Sequence, residues 1–138
     1  MSMVHWVCDG IGIRTNELYP YLNKNKCINF ICKQVPNAKI DADSFDIDQF
    51  FDGNPFENLG DMLCHADDTN TLTFDTDGQG EYYFYYRPLY PWQMTDKDPV
   101  SLQEVHERII DCVLCLCDMS RLEAESFIDN AIYDYGFG

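Results

Sequence analysis

Residues 71–86 read Thr71-Leu72-Thr73-Phe74-Asp75-Thr76-Asp77-Gly78-Gln79-Gly80-Glu81-Tyr82-Tyr83-Phe84-Tyr85-Tyr86. Two runs rich in β-branched and aromatic residues flank a polar loop with two glycines. β-Branched and aromatic side chains suit a pleated, half-buried surface. A glycine-bearing loop between two such runs is the signature of a hairpin. Strands are therefore expected at 71–74 and 81–86. Alternation places Tyr82, Phe84 and Tyr86 on one face and Tyr83 and Tyr85 on the other. One face enters a core, and the second is expected to leave Tyr83 and Tyr85 near the surface.

Upstream, residues 3–8 alternate in polarity and predict a strand, which Asp9-Gly10-Ile11-Gly12 is expected to break. Thr15 is a candidate cap for a short helix that Pro20 interrupts. The run 27–32 is apolar and too short for periodicity to assign. Val35-Pro36-Asn37 predicts a turn. Asp43 or Ser44 is expected to cap a helix reaching Phe51, and Gly53 to end it. Asn54-Pro55 predicts a second short helix towards Cys64.

Downstream, the two prolines of 87–92 exclude regular structure there. Ser101-Leu102-Gln103-Glu104 is a capping-box pattern opening a helix over about 102–118. Leu102, Val105, Ile109, Cys112, Val113 and Leu116 form its apolar face. Ser120-Arg121-Leu122-Glu123 opens another, expected to reach about residue 133. The elements predict one α+β domain spanning residues 1–138: a small antiparallel sheet with a hairpin at about 71–86, packed against helices that include a C-terminal antiparallel pair.

The chain carries 24 acids against nine Lys and Arg, a net charge of −15. Such charge argues against direct binding to nucleic acid, since phosphate contacts come from Lys and Arg. It favours a basic partner. The distribution is uneven. Residues 1–39 hold Arg14, Lys24, Lys26, Lys33 and Lys39 against Asp9 and Glu17. Residues 40–86 hold no Lys or Arg, but contain Asp41, Asp43, Asp46, Asp48, Asp52, Glu57, Asp61, Asp67, Asp68, Asp75, Asp77 and Glu81. Two carboxylates ~6 Å apart repel by about 0.7 kcal/mol in water. A dozen without a local cation make a negative field, unless bases from the first forty residues fold over them.

No stretch reaches the roughly 18 uncharged apolar residues of a membrane span. The start shows no basic region followed by an apolar one, so a cytoplasmic location is expected. The seven cysteines then read as free thiols.

Phe74-Asp75-Thr76-Asp77-Gly78 after an apolar strand resembles the first motif of haloacid-dehalogenase-type phosphatases. That resemblance implies a nucleophilic Asp75 and a general acid Asp77. In that family a helix and a long doubly wound domain follow, whereas here a second strand follows at once. The loop also resembles a calcium-binding EF-hand with Asp75 first and Gly80 sixth, but its twelfth place is Tyr86 rather than Glu. Cys112, Cys115 and Cys117 do not converge on one helix face, so no metal is expected. His65-Ala66-Asp67 places a histidine beside a carboxylate, and His65, Asp67, Asp75 and Asp77 are the candidates for a small metal-dependent hydrolase. No enzyme, cofactor or metal is the favoured expectation.

In size, acidity and lack of a catalytic motif the chain resembles phage-encoded DNA mimics, such as anti-CRISPR and antirestriction proteins, and bacterial immunity proteins against nuclease toxins. The resemblance implies an inhibitor that blocks the nucleic-acid site of a nuclease or other basic nucleic-acid-binding enzyme. Its contact residues are expected to be Asp41, Asp43, Asp46, Asp48, Asp52, Asp67, Asp68, Asp75, Asp77 and Glu81, with Tyr83, Tyr85, Tyr90 and Trp92 as aromatic anchors. A generic interaction module, acidic for solubility alone, is the alternative.

Overall fold

The computed structural model describes residues 5–137. Four strands form one antiparallel sheet: β1 (His5–Arg14), β2 (Thr73–Thr76), β3 (Tyr82–Tyr86) and β4 (Asp129–Phe137). Their order is β2-β3-β1-β4. The helices are α1 (Thr15–Leu18), α2 (Lys24–Gln34), α3 (Ile47–Phe50), α4 (Pro55–Ala66), α5 (Leu102–Leu114) and α6 (Arg121–Ser126). The α+β class holds, as does the contact between the two C-terminal helices. None of the described helices is long and apolar enough to cross a membrane.

The main core lies between the helices and one sheet face. It unites Ile13, Phe84 and Tyr86 from the strands with Leu59 and Leu63 of α4 and Val105, Ile109, Cys112 and Val113 of α5. The opposite face carries a separate small cluster of Cys8, Tyr83, Tyr85 and Ile132, all from strands. The helices therefore cover one side of the sheet.

The hairpin forms as expected, with Phe74 paired to Phe84 and Asp75 to Tyr83. Its first strand begins at Thr73 rather than Thr71. The cause is Asp67, whose Oδ2 accepts the N–H groups of Thr71 and Leu72, both at 2.9 Å. The second helix expected near 54–64 is α4, capped by Asn54, whose side chain accepts from Glu57 N.

Several boundaries differ from expectation. Of the strand expected at 3–8, residues 3 and 4 lie outside the described residues. Its continuation does not break at Gly10-Gly12: β1 runs through both, with a register shift between them where it pairs with β4. The glycines are there for close approach. A Cβ on Gly12 would strike the Phe84 carbonyl and the Tyr85 backbone, and one on Gly10 would lie 2.9 Å from Tyr85 Cδ2. Thr15 does not cap; it is the first residue of α1, and its buried hydroxyl donates to Phe56 O at 3.0 Å. The run 27–32 falls within α2, capped by Asn23, whose side chain accepts from Lys26 N.

Asp43 and Ser44 do not cap the acidic helix. Asp41 closes a turn over them, with Asp43 N donating to its Oδ1, and the cap falls to Asp46. α5 ends at Leu114 instead of near 118. The next residues leave the helix to meet the α1–α2 connection, where Asn23 N donates to Leu116 O and Asp118 N to Tyr21 O.

The last helix does not reach residue 133. It stops at Ser126, and Asp129 begins β4, which pairs along β1. Ala124 and Ile132, both within the helix expected there, are buried in different clusters on opposite faces of the sheet. Sheet pairing with β1 outweighs the helical spacing.

Candidate functional site

The structure divides the sequence-derived contact residues into separate groups. Among the described residues, no hydrogen bond, ion pair or ring contact joins one group directly to another.

The first group lies on the sheet face away from the helices. Tyr83 and Tyr85 are not surface anchors: they are 3% and 0% exposed. Gly12 stands opposite Tyr85 and Arg14 opposite Tyr83, so the missing side chain leaves room for a ring. Tyr83 donates to Asp134 Oδ2 at 2.6 Å. Arg87 Nη2 donates to the Tyr85 hydroxyl at 2.7 Å, and Val7 O accepts from the same nitrogen at 3.1 Å. The guanidinium carbons of Arg14 and Arg87 lie 5.8 and 5.7 Å from the ring centroids of Tyr83 and Tyr85. Arg14 also pairs with Glu81 at 3.7 Å, and Arg87 with Asp75 at 3.5 Å.

Asp77 is buried, and its Oδ1 accepts from Gln79 N and Glu81 N. Burial pushes its carboxyl up, but these backbone donors outweigh it and hold the group below the usual carboxylate range. Burial, then Asp75, Asp134 and Asp77, push the Cys8 thiol up to about 12. Burial raises the Tyr85 phenol to about 12, against the pull of Arg87. Tyr83, Tyr85 and Asp77 are thus buried within a polar lattice, at odds with their expected role as partner contacts. Asp75 and Glu81 are engaged by Arg87 and Arg14 at its edge, where their side chains stay 39% and 42% exposed.

The second group is Asp67 with Asp68. Asp67 is 8% exposed, and both its oxygens accept hydrogen bonds from the α4–β2 connection: Oδ1 from the N–H and hydroxyl of Thr69, Oδ2 from Thr71 N and Leu72 N. It is a structural cap, not a contact residue. Asp68 is exposed. His65 Nδ1 donates to Asp61 O at 2.9 Å, away from Asp67. Among the described residues no set of three or more His, Cys, Asp or Glu could hold a metal, so the hydrolase candidates are not assembled.

The third group surrounds α3. Asp41, Asp43, Asp46, Asp48 and Asp52 are all exposed. Asp46 Oδ1 accepts from Asp48 N at 2.9 Å and Gln49 N at 3.4 Å. Asp48 Oδ1 accepts from the Tyr19 hydroxyl at 2.7 Å. Asp41 and Asp52 accept from Asp43 N and Gly53 N. Asp43 is the aspartate here that holds none of these turns. Backbone donors orient the carboxylates without cancelling their charge.

Among the described residues, ion pairs join Arg14 to Glu81, Arg87 to Asp75, Arg121 to Asp111, His65 to Asp61 and His106 to Glu125. No lysine takes part. Lys26 instead donates to Cys117 O at 2.7 Å. Lys39 borders the same open hollow as Asp41 and Asp46 but lies beyond ion-pair distance of both. Phe45 and Phe50 border it too, their centroids 5.5 Å apart, with Phe50 44% exposed.

The fourth group is Tyr90 with Trp92, which stack with centroids 4.8 Å apart and planes 4° apart. They are 63% and 79% exposed. Tyr90 precedes and Trp92 lies within a single 3-10 turn, Pro91–Gln93, so the stretch 87–92 is not wholly irregular, contrary to expectation, and both rings face solvent. Missed by the sequence reading were Arg14, Arg87, Cys8 and Asp134, whose lattice requires three non-adjacent segments. Exposed Leu122 and half-exposed Leu102 were also missed. A residue spacing cannot show which apolar positions stay uncovered.

Comparison with protein-family models, with curated proteins and with solved structures finds no match to this chain.

Proposed function

We propose that this chain is an acidic inhibitor which acts in the cytoplasm by binding a basic nucleic-acid-handling protein and occupying its nucleic-acid site. One observation carries the reading. The exposed aspartates from Asp41 to Asp52 have no cationic partner among the described residues, and the lysines of the first forty residues do not neutralise them. Folding tolerates this uncompensated charge. A cationic groove built for phosphates offers it the missing counter-charge, as duplex DNA presents one charge per roughly 1.7 Å of axis.

Charge supplies steering and salt dependence more than tight affinity. Affinity needs apolar anchors, and Phe45 and Phe50 lie beside the carboxylates. The stacked Tyr90–Trp92 pair is a second anchor, since Tyr and Trp dominate protein interfaces.

The test is capture from a nuclease-treated lysate at low salt, with the wild-type chain and with an Asp43→Lys/Asp52→Lys variant. Asp43 holds no turn and Asp52 only its neighbour's N–H, so the variant should fold. The expected result is basic nucleic-acid-binding proteins on the wild type, released as salt rises and lost from the variant. Capture of the same proteins by both would overturn the proposal.

A further inference from the structure

A hollow of about 280 Å³ opens between α2 and the C-terminal ends of α4 and α5. Lys26, Phe30 and Lys33 follow one another along α2 at helical spacing, and the face they share forms one wall. Lys26 Nζ donates to Cys117 O at 2.7 Å, which fixes this wall against the chain that follows α5. An ammonium group has three donors, so two of them stay open. Lys33, in the last turn of α2, takes part in no ion pair among the described residues. Its charge nevertheless reaches across the hollow. Burial raises the Cys115 thiol at its edge, Lys33 opposes that rise, and Asp68 adds to it.

Charge selects what this hollow takes. Lys26 and Lys33 meet one carboxylate there, Asp68, which forms an ion pair with neither. His65 is committed to Asp61, whose carbonyl accepts from its Nδ1 at 2.9 Å. The hollows that hold Arg14, Lys39 or Arg121 each carry more carboxylates than Lys and Arg. Here the lysines outnumber the acids. The chain's net charge of −15 repels anions at a distance, but salt screens that field beyond about 8 Å. Within the hollow the two ammonium groups prevail.

We propose that this hollow binds a small phosphate monoester carrying a single aromatic ring. Its head, close to dianionic at neutral pH, takes charge-assisted bonds from Lys33 and Lys26. The amides of Asn29 and Gln34, which also line the hollow, add neutral donors. A carboxylate brings one charge and two oxygens, and fills this donor set less well. Phe30 and Ala66 supply an apolar wall for the ring. The volume lies below the roughly 300 Å³ at which drug-sized pockets begin, which limits the body of the ligand. The site shares no residue with the aspartates around α3 and does not depend on their role.

Binding is read by amide NMR of the isotope-labelled chain titrated with phenyl phosphate, with inorganic phosphate and benzoate as controls. Phenyl phosphate should shift the side-chain amides of Asn29 and Gln34, and should bind more tightly than either control. Lys33→Gln should weaken it about tenfold or more, because a charge-assisted bond is lost. Asp68→Asn should strengthen it about threefold, because a like charge beside the head is removed. Both positions are exposed, so thermal unfolding should not change. Absence of those amide shifts would overturn the proposal, as would either control binding as tightly as phenyl phosphate. So would indifference to Lys33→Gln, or an Asp68→Asn variant that binds no better than the wild type.

Discussion

The phenol of Tyr83 on β3 and the carboxylate of Asp134 on β4 meet at 2.6 Å across the intervening strand β1. This bond ties the hairpin to the last strand on the face that no helix covers. Tyr83→Phe deletes it while keeping the ring between Arg14 and the sheet. The expected cost is about 1–2 kcal/mol. Urea unfolding should show a lower midpoint with an unchanged slope.

Gly60 lies inside α4, where alanine would normally add up to about 1 kcal/mol of stability. Here a Cβ would strike the Phe74 ring, which is stacked against Tyr82 with planes 4° apart. Overpacking of this kind costs about 1–3 kcal/mol. Gly60→Ala should therefore destabilise, against the helix-propensity trend, with a lower midpoint in thermal unfolding.

Asp77 makes the chain acid-sensitive. Its native carboxyl is held below the usual range by Gln79 N and Glu81 N, despite burial. A group depressed in the folded state contributes stability above its unfolded pKa and loses it as pH falls through the folded value. Asp77→Asn should cost about 1–2 kcal/mol at pH 7. The gap from wild type should narrow as pH falls below the ordinary carboxylate range, as measured by denaturant unfolding across pH.

Thiol reactivity should follow burial. Cys115 is exposed, whereas Cys8, Cys27, Cys112 and Cys117 are buried. Burial raises the thiols of Cys27 to about 11 and of Cys117 to about 12. With a chromogenic disulfide at pH 8, Cys115 should react first and Cys115→Ser should remove that fastest phase. The four buried thiols should titrate only on unfolding.

Local signals in the sequence were legible where one segment decides its own structure. The hairpin, the Asn54-Pro55 start of α4 and the Ser101 and Ser120 caps are of this kind. What distant segments decide together was not legible. The helix opened at Ser120 was expected to reach about residue 133, yet β1 claims Asp129–Phe137 as a strand. The alternation of Tyr83 and Tyr85 correctly put them opposite Phe84, but not under Arg14 and Arg87. The aspartates show the same division. Their exposure around α3 accords with the sequence pattern, while the use of Asp67 and Asp77 as buried caps depends on backbone N–H groups that only the folded turns bring into reach.

We propose that exposed, uncompensated carboxylates between Asp41 and Asp52 take the place of phosphates on a basic partner. Competition decides this: a purified partner bound to fluorescent nucleic acid is titrated with the chain. The wild type should release the nucleic acid, with release by Asp43→Lys/Asp52→Lys weakened about tenfold or more and less steeply dependent on salt. A ternary complex, in which the partner holds the chain and the nucleic acid together, would contradict it.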